Sequence, residues 1–123
     1  MRIFRKSTGH FLAKIDIYPC GPESDRRDNP AYNGIRWGFS YAEDFNDSPT
    51  CPPVSDVWPE FLDEGGMAIP NNVPLIGSYT ARMHIIFDDM IEKHFKRLRI
   101  GTKFYCTEGS MKTAEGIVSK LSV

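Results

Sequence analysis

The sequence predicts an all-β fold, a closed, Greek-key-like β-barrel of about six strands with one short helix. Three stretches carry large apolar side chains at every second position, the period that directs one side of a strand toward a core. A fourth stretch, near the C-terminus, is predicted to be a hairpin because Gly109 separates two β-favouring runs and glycine accepts the positive φ of a tight reversal. With 123 residues, of which 41% are hydrophobic and 25% charged, the chain is expected to form a single domain over residues 1–123.

The first two predicted strands each have one row of side chains that suits a core. In the first strand this row is Phe11, Ala13, Ile15 and Ile17. In the second strand it is Ile35, Trp37, Phe39 and Tyr41. Aromatic rows can also stack on nucleic-acid bases, but then basic residues share the same face, whereas here the basic Arg36 points to the opposite side. We therefore assign both rows to the core.

Between residues 43 and 74 the alternation stops. This segment has five prolines between Pro49 and Pro70, and it contains seven carboxylates but no Lys or Arg. We expect an enlarged, acidic, proline-rich insertion at about 43–74, with a turn of helix within 54–62. The residues expected to hold that turn against the barrel are Val57, Trp58, Phe61 and Leu62. Because loops are free to carry function, the insertion is a candidate partner-binding surface, and a lid over one barrel end is the alternative.

The third predicted strand is the most regular in the chain. Its core-facing row is Tyr79, Ala81, Met83, Ile85 and Phe87. After this strand, Asp88 or Asp89 is expected to cap a short helix near 89–97 by accepting backbone N–H bonds. Basic residues gather toward the C-terminal end of this helix, where the helix dipole favours positive charge.

The closing hairpin is expected to turn at Glu108-Gly109-Ser110. Its first strand should direct Phe104 and Cys106 inward, with Lys103, Tyr105 and Thr107 outward. In its second strand Gly116 interrupts a β-favouring run, and a glycine there marks a bulge or a close backbone approach. Either feature would let the sheet curve into a barrel.

Two patches of the chain match a known pattern in the same order. The first patch runs from Tyr32 to Tyr41, and the second lies in the closing hairpin. The matching positions of the hairpin are Gly101, Phe104, Glu108, Gly109, Gly116 and Val118. At these positions the chain resembles the C-terminal β-barrel domain of elongation factor Tu and elongation factor 1-alpha. The resemblance implies a translation-factor-like barrel that stands alone, without the GTPase domain that carries the family's nucleotide chemistry.

In that family the barrel helps to hold the T-stem of aminoacyl-tRNA and docks on the GTPase domain. Several positions that correspond to contact residues of the family have changed in this chain. These positions are Trp37, Tyr105, Thr107 and Met111. Only Arg36 and Lys103 keep a basic character. The resemblance therefore implies a retained barrel whose inherited contacts have largely been lost.

The sequence contains no motif for catalysis, nucleotide binding or metal binding. It has no phosphate-binding loop with Gly-Lys-Ser/Thr, no nucleophile elbow and no His-Glu-x-x-His. The widely spaced Cys20, Cys51 and Cys106 are typical of free thiols rather than of a disulfide framework or a zinc site. We predict a protein that is not an enzyme and has no cofactor, metal or nucleotide. We expect it in the cytoplasm and not at a membrane, because no signal peptide or apolar span is recognisable.

Two classes of function stay open. The first is a stand-alone module that binds a protein partner, and antitoxins and immunity proteins, which neutralise one toxin, are modules of this kind. Its predicted contact residues are Asp56, Trp58, Glu60, Phe61 and Asp63. Aromatic anchors within a polar rim are typical of binding hot spots, and the acidic charge favours a partner with a basic face.

The second class is an RNA-binding or translation-associated domain that contacts tRNA or rRNA. Its predicted basic face consists of Arg36, Arg82, Lys93, Lys96, Arg97, Arg99 and Lys103. After folding, the segregated charges of the chain either form opposed patches or cancel one another, and the sequence leaves both alternatives open.

Overall fold

Six antiparallel strands close into a barrel, as predicted, and two short helices lie beside it in the described residues 10–20, 29–109 and 111–121 of this computed structural model. The strands are β1 (His10–Ile17), β2 (Trp37–Tyr41), β3 (Ser55–Leu62), β4 (Gly77–Ile85), β5 (Lys103–Glu108) and β6 (Met111–Lys120). The helices are α1 (Ala42–Asp47) and α2 (Asp88–Arg97). Around the barrel the strands follow the order β1-β4-β3-β2-β5-β6.

This order is a Greek key. Strands β2, β3 and β4 form a meander, and β1 lies beside β4, the last strand of that meander. The hairpin β5–β6 then fills the gap between β2 and β1. Each strand thus has two neighbours, and the wall of the barrel is continuous around its circumference.

The barrel interior is filled by aromatic rings from facing strands, as the alternating rows predicted. Phe39 stacks on Phe104 with ring centroids 4.7 Å apart, and Phe11 meets both rings edge-on at 6.0 and 6.3 Å. Trp37 and Phe61 also meet edge-on, at 6.1 Å. All five side chains are at most 2% exposed, so they account for much of the apolar surface that folding removes from water.

The closing hairpin has the predicted inward and outward rows, with one difference. Phe104 and Cys106 are buried in the core, and Gly109 makes the turn with a φ of +64°. Thr107 was expected to face solvent, but it is only 1% exposed because Gly38 and Val54 lie against its side of the wall. The predicted turn residue Ser110 lies outside the described residues.

The Phe104 ring approaches the backbone closely at Gly116, as the position of this glycine within a strand predicted. It is paired with Phe104 across the β5–β6 ladder. A Cβ atom at position 116 would lie 2.3 Å from the tip of the Phe104 ring, so only glycine leaves room for that ring. The same hairpin shifts register between Cys106 and Thr107, a β-bulge that helps the sheet to curve.

Segment 54–62 was predicted to hold a turn of helix, and this was wrong. Residues 55–62 form β3, an integral strand of the barrel, so segment 43–74 is not one long insertion. The apolar residues of this segment have a spacing that suits either period, and pairing with β4 decides for the strand. Pro59 is tolerated because the pairing of β3 with β2 ends at Val57, which leaves one edge of β3 without a ladder partner there.

The predicted helix near 89–97 is present as α2, but its predicted cap is not. The N-cap residue is Phe87, and no side chain accepts a hydrogen bond there. Asp88 and Asp89 lie in the first turn, where they interact favourably with the helix dipole. Helix α1 lies within the segment that was predicted to be a loop, and its Phe45 packs edge-on against Tyr105 of β5 at 5.2 Å.

Candidate functional site

The outward side chains of β3 form the candidate site, which we name the β3 outer face: Asp56, Trp58 and Glu60. Trp58 is partly buried, and Asp56 is exposed. The indole of Trp58 lies on the imidazole of His84, its register partner on β4, with ring centroids 4.6 Å apart and an interplanar angle of 31°. The site thus presents a supported aromatic ring with a carboxylate before it and another after it along the strand.

Glu60 links this aromatic pair to a third strand residue. Its Oε1 atom accepts hydrogen bonds from His84 Nε2 and Arg82 Nη1, both at 3.0 Å. Burial raises the pKa of Glu60, but the hydrogen bonds and charges of His84 and Arg82 outweigh this effect and hold the pKa below its ordinary value. The carboxylate is therefore ionised at neutral pH, and it fixes both of its neighbours.

His84 is a neutral hydrogen-bond donor rather than a cation. Its side chain is 1% exposed, and burial lowers its pKa to about 4, against the opposing effect of Glu60. At neutral pH the Nε2–H group therefore donates to Glu60 without carrying a full charge. His10 of β1 lies on the other side, with its ring 5.5 Å from that of His84, so Trp58 rests on a firmly packed support.

Two of the predicted contact residues do not belong to this face. Phe61 is fully buried in the barrel, so its prediction as a partner-binding anchor was wrong. Phe61 directly follows Glu60 in β3, and successive side chains of a strand point to opposite faces of the sheet, so Phe61 points into the barrel. Asp63 is exposed but closes a turn, because its Oδ1 atom accepts the backbone N–H groups of Gly65 and Met67, each at 2.9 Å. Asp56, Trp58 and Glu60 remain as the surface set.

Three of the predicted basic residues form ion pairs. Arg82 pairs with Glu60, and Lys96 pairs with Glu92 one helical turn away at 3.1 Å. The remaining candidates are exposed and come from different parts of the fold: Arg36, Lys93, Arg99 and Lys103. The structure therefore does not present the seven residues as one uninterrupted basic strip.

Arg97 makes the densest of these ion pairs. Its guanidinium lies 2.8 Å from both Glu43 Oε1 and Asp44 Oδ2, and it covers the ring of Tyr41 at 3.8 Å. The hydrogen bond from Arg97 lowers the pKa of Asp44 below its ordinary value. Part of the acidic segment is thus neutralised by the basic helix that follows it in sequence, so the charges partly cancel.

A polar cluster that the sequence analysis missed joins three elements of the fold. Nδ1 of His94 lies 2.7 Å from the Tyr41 hydroxyl, and Nε2 lies 2.9 Å from the Ser55 hydroxyl. His94 and Tyr41 are 6% and 8% exposed. One sequence feature indicated that His94 is buried: it follows Met90 and Ile91 at helical spacing, and these two residues lie on the buried side of α2. The partners come from β2 and β3, far away in sequence.

The cluster resembles a nucleophile with its base and an orienting group. In either tautomer of His94 it also connects α2 to β2 and β3. Burial raises the pKa of Tyr41 to about 12, so its hydroxyl keeps its proton. Each ring nitrogen of His94 has one hydroxyl partner: in one tautomer Tyr41 donates to Nδ1 and Nε2–H donates to Ser55, and in the other Nδ1–H donates to Tyr41 and Ser55 donates to Nε2. We interpret the cluster as a clamp that holds α2 against the barrel.

Within the described ranges, no group of three or more His, Cys, Asp or Glu side chains is arranged to hold a metal ion. In that part of the chain, no helix is both long and apolar enough to cross a membrane.

The fold and the site together define a closed antiparallel β-barrel with a supported tryptophan between two carboxylates on its outer wall. No known protein-family model matches the chain, and a comparison with curated proteins found no match.

Proposed function

We propose that this protein is a non-catalytic binding module that recognises a protein partner through the β3 outer face. The observation that carries the proposal is the position of Trp58, an outward, partly buried indole that rests on His84. Tryptophan is enriched in binding hot spots because a large apolar ring becomes fully desolvated when a partner covers it. The flanking carboxylates of Asp56 and Glu60 supply the polar rim that such anchors have.

The anchor is pre-organised for binding. Its support, His84, is buried and is held by Glu60, which is itself held by Arg82. A ring that is already fixed loses little conformational entropy when a partner binds. The closed barrel adds to this, since β3 is bonded to β4 along residues 57–62.

The charges of this face favour a partner with a basic group. Glu60 is engaged by Arg82, whereas Asp56 is exposed and stands nearer to solvent. A partner arginine can contact Asp56 and stack on the indole of Trp58, because a guanidinium suits both a carboxylate and an aromatic face. Toxins that are neutralised by immunity proteins are one kind of partner that would fit, and this proposal places the protein in the cytoplasm.

The proposal excludes catalysis, cofactors and nucleotide binding. The Ser55–His94 pair is the arrangement in the described residues that most resembles catalytic machinery, and we interpret it as part of the clamp that holds α2 against the barrel. We also keep the resemblance to the elongation factor Tu barrel as part of the proposal. The two patches that carry it lie side by side, because β2 pairs with β5 from Gly38 to Tyr41.

Crosslinking from the surface of the barrel tests the proposal. A photo-crosslinking residue in place of Val54, which is 45% exposed and directly precedes β3, should capture a protein in cells of the native host. The same residue in place of Ile117, which is 38% exposed on β6 across the barrel, is the matched control and should not capture it.

The captured protein is then purified and titrated against variants. Trp58→Ala should weaken its binding by at least about tenfold, since a hot spot contributes about 2 kcal/mol or more. Asp56→Lys should slow association, most at low salt, and Glu92→Lys on α2 should leave the rate unchanged. Unchanged affinity in both β3 variants would overturn the proposal.

Capture of RNA is the outcome that would replace the proposal with its alternative. Binding of that RNA should then fall steeply with salt and should depend on Arg36, Lys93, Arg99 and Lys103. Trp58→Ala and Asp56→Lys would have no effect on it.

A further inference from the structure

A groove of about 400 Å³ runs along the outside of the barrel where β1, β6 and β5 lie side by side. We name it the β6 groove, and the outward side chains that line it are Lys14, Asp16, Lys103, Tyr105, Glu115 and Ile117. In the strand order β6 lies opposite β3. Nothing that happens in this groove therefore depends on the β3 outer face.

The strand register arranges these side chains in two rows. In one row Ile117 lies between Lys14 on β1 and Lys103 on β5. In the next row Glu115 lies between Asp16 and Tyr105. One row is thus cationic around an apolar centre, and the other is anionic beside an aromatic ring.

The carboxylates of the second row are held in place. Ser78 Oγ donates to Asp16 Oδ1 at 3.2 Å, and the Tyr18 hydroxyl donates to Glu115 Oε1 at 2.8 Å. Tyr105 is fixed as well, because the ammonium group of Lys112 lies 3.8 Å from the centre of its ring. This end of the groove therefore has two carboxylates that are oriented by hydrogen bonds.

The two lysines of the first row have no such partners. Among residues 10–20, 29–109 and 111–121, neither Lys14 nor Lys103 forms a hydrogen bond or an ion pair, and Asp16 and Glu115 form no ion pair either. Both lysines line the groove, and Ile117 lies between them in the strand register. The groove is thus lined by two lysines and two acidic residues that form no ion pair with described residues.

A ligand that satisfies both rows has to carry one anionic group and one cationic group. Side chains two residues apart on one face of a strand are separated by about 6.5–7 Å, and this sets the spacing of the two groups. An extended chain spans about 3.3–3.6 Å for each residue, so the two termini of a dipeptide match that spacing. The charged groups of a free amino acid are too close together to reach both rows. An inorganic anion could bind the lysines but would leave the carboxylates without a cationic partner.

We propose that the β6 groove binds a short peptide with free termini, with its carboxylate between Lys14 and Lys103 and its ammonium group at Asp16 and Glu115. An apolar side chain of the peptide covers Ile117. The barrel wall thus has a binding site for a zwitterionic dipeptide, separate from the surface proposed for a protein partner.

Titration of the protein with unblocked Ala-Phe tests this, with methyl NMR of Ile117 and calorimetry as readouts. We expect saturable binding with a dissociation constant of about 1 mM or tighter. Peptides of the same sequence with an acetylated N-terminus or an amidated C-terminus should bind at least about threefold more weakly, since each loses one charge contact. Lys103→Met and Glu115→Gln should each weaken binding about two- to fivefold, the range of exposed ion pairs.

Controls separate a binding effect from a folding effect. Lys120→Met removes an exposed lysine of the same strand that does not line the groove, and its affinity should equal that of the wild type. In Glu115→Gln the amide oxygen still accepts from Tyr18, so the thermal midpoint should not move. The proposal is overturned by any of three results: no saturable shift up to about 10 mM peptide, equal binding of the blocked peptides, or unchanged affinity in both groove variants.

Discussion

The side-chain amide of Asn33 bonds to Phe61 in the way that a neighbouring strand would. Its Oδ1 atom accepts the Phe61 backbone N–H at 2.7 Å, and its Nδ2 atom donates to the Phe61 carbonyl at 2.9 Å. A further hydrogen bond from Nδ2 reaches the carbonyl of Ile69 at 2.7 Å. The ladder between β2 and β3 ends at Val57, so this side chain, together with the Ile69 N–H that donates to the Phe61 carbonyl at 3.0 Å, satisfies the backbone of β3 where a strand partner is missing.

Replacing Asn33 should therefore destabilise the barrel. Asn33→Ala leaves the Phe61 N–H and the Ile69 carbonyl without their partner, whereas the Phe61 carbonyl keeps its hydrogen bond from the Ile69 N–H, and we expect a loss of about 2–4 kcal/mol in the free energy of unfolding. Urea denaturation monitored by tryptophan fluorescence measures it. The matched control Asn72→Ala, at an exposed loop position, should change stability by less than about 0.5 kcal/mol. Equal stability of the two variants would show that Asn33 has no such role.

Gly116 should not tolerate a methyl group. Gly116→Ala places Cβ in the Phe104 ring, and such overpacking costs about 1–3 kcal/mol. In the Phe104→Leu background the same change should cost clearly less, since the ring tip is gone. Gly65→Ala is the control, because its nearest atom lies 3.4 Å away and it should be close to neutral. Additive effects of the two core changes in a double-mutant cycle would contradict the steric explanation.

The two buried histidines should make the fold sensitive to acid. Burial lowers the pKa of His84 to about 4 and also lowers that of His94, to which the charge of Arg97 contributes. In the unfolded chain both histidines have a pKa near 6.5. Between about pH 4 and 6.5 the unfolded state therefore binds more protons than the folded state. Stability should thus be complete above pH 6.5 and fall as the pH drops toward 4, by about 1–3 kcal/mol.

Chemical denaturation at several pH values from 7.5 to 4.5 measures this dependence. His84→Gln retains a donor to Glu60 but cannot titrate, so its stability should depend less on pH than that of the wild type. A stability that rises on acidification in the wild type would show that the histidines are not held neutral.

The two tryptophans should respond differently to truncation. Trp37→Ala empties the barrel core, where the ring is 1% exposed, and should cost about 3–5 kcal/mol. Trp58→Ala removes a partly buried ring from the outside and should cost about 1–2 kcal/mol. Thermal and urea unfolding of both variants measure the difference. A loss at Trp58 as large as that at Trp37 would make Trp58 a structural residue rather than a surface anchor.

Local alternation was sufficient to predict most of the barrel. The inward rows of β1, β2 and β4 were predicted from residues such as Ala13, Phe39 and Met83, because the alternation of a strand is visible within a few residues. The prediction of Phe87 as the last residue of the third core-facing row was wrong, since β4 ends at Ile85 and Phe87 is the exposed N-cap residue of α2. The prediction of a helical turn around Pro59 was wrong because the apolar residues there fit both the helical and the strand period. Pairing with β4 decides between the two, and a local pattern does not show that pairing.

The site was only partly predictable. Asp56, Trp58 and Glu60 were named as contact residues together with Phe61, because the sequence shows that aromatic and acidic residues are near one another but not which of them share a face. The strand geometry separates them, and it turns Phe61 into the core. The clamp of Tyr41, Ser55 and His94 was missed, since its members are up to 53 residues apart along the chain.

The sequence by itself determined the all-β class, the core rows, the tight turn at Gly109 and the close approach at Gly116. Each of these depends on the volume and backbone freedom of residues within one short stretch. Tertiary structure alone decided the partners of the polar groups, such as Arg97 with Asp44 and Glu60 with His84. The strength of ion pairs and hydrogen bonds depends on the distance between the groups in space. Closure of the barrel brings together residues that are far apart in sequence, and no local sequence pattern shows which of them will be neighbours.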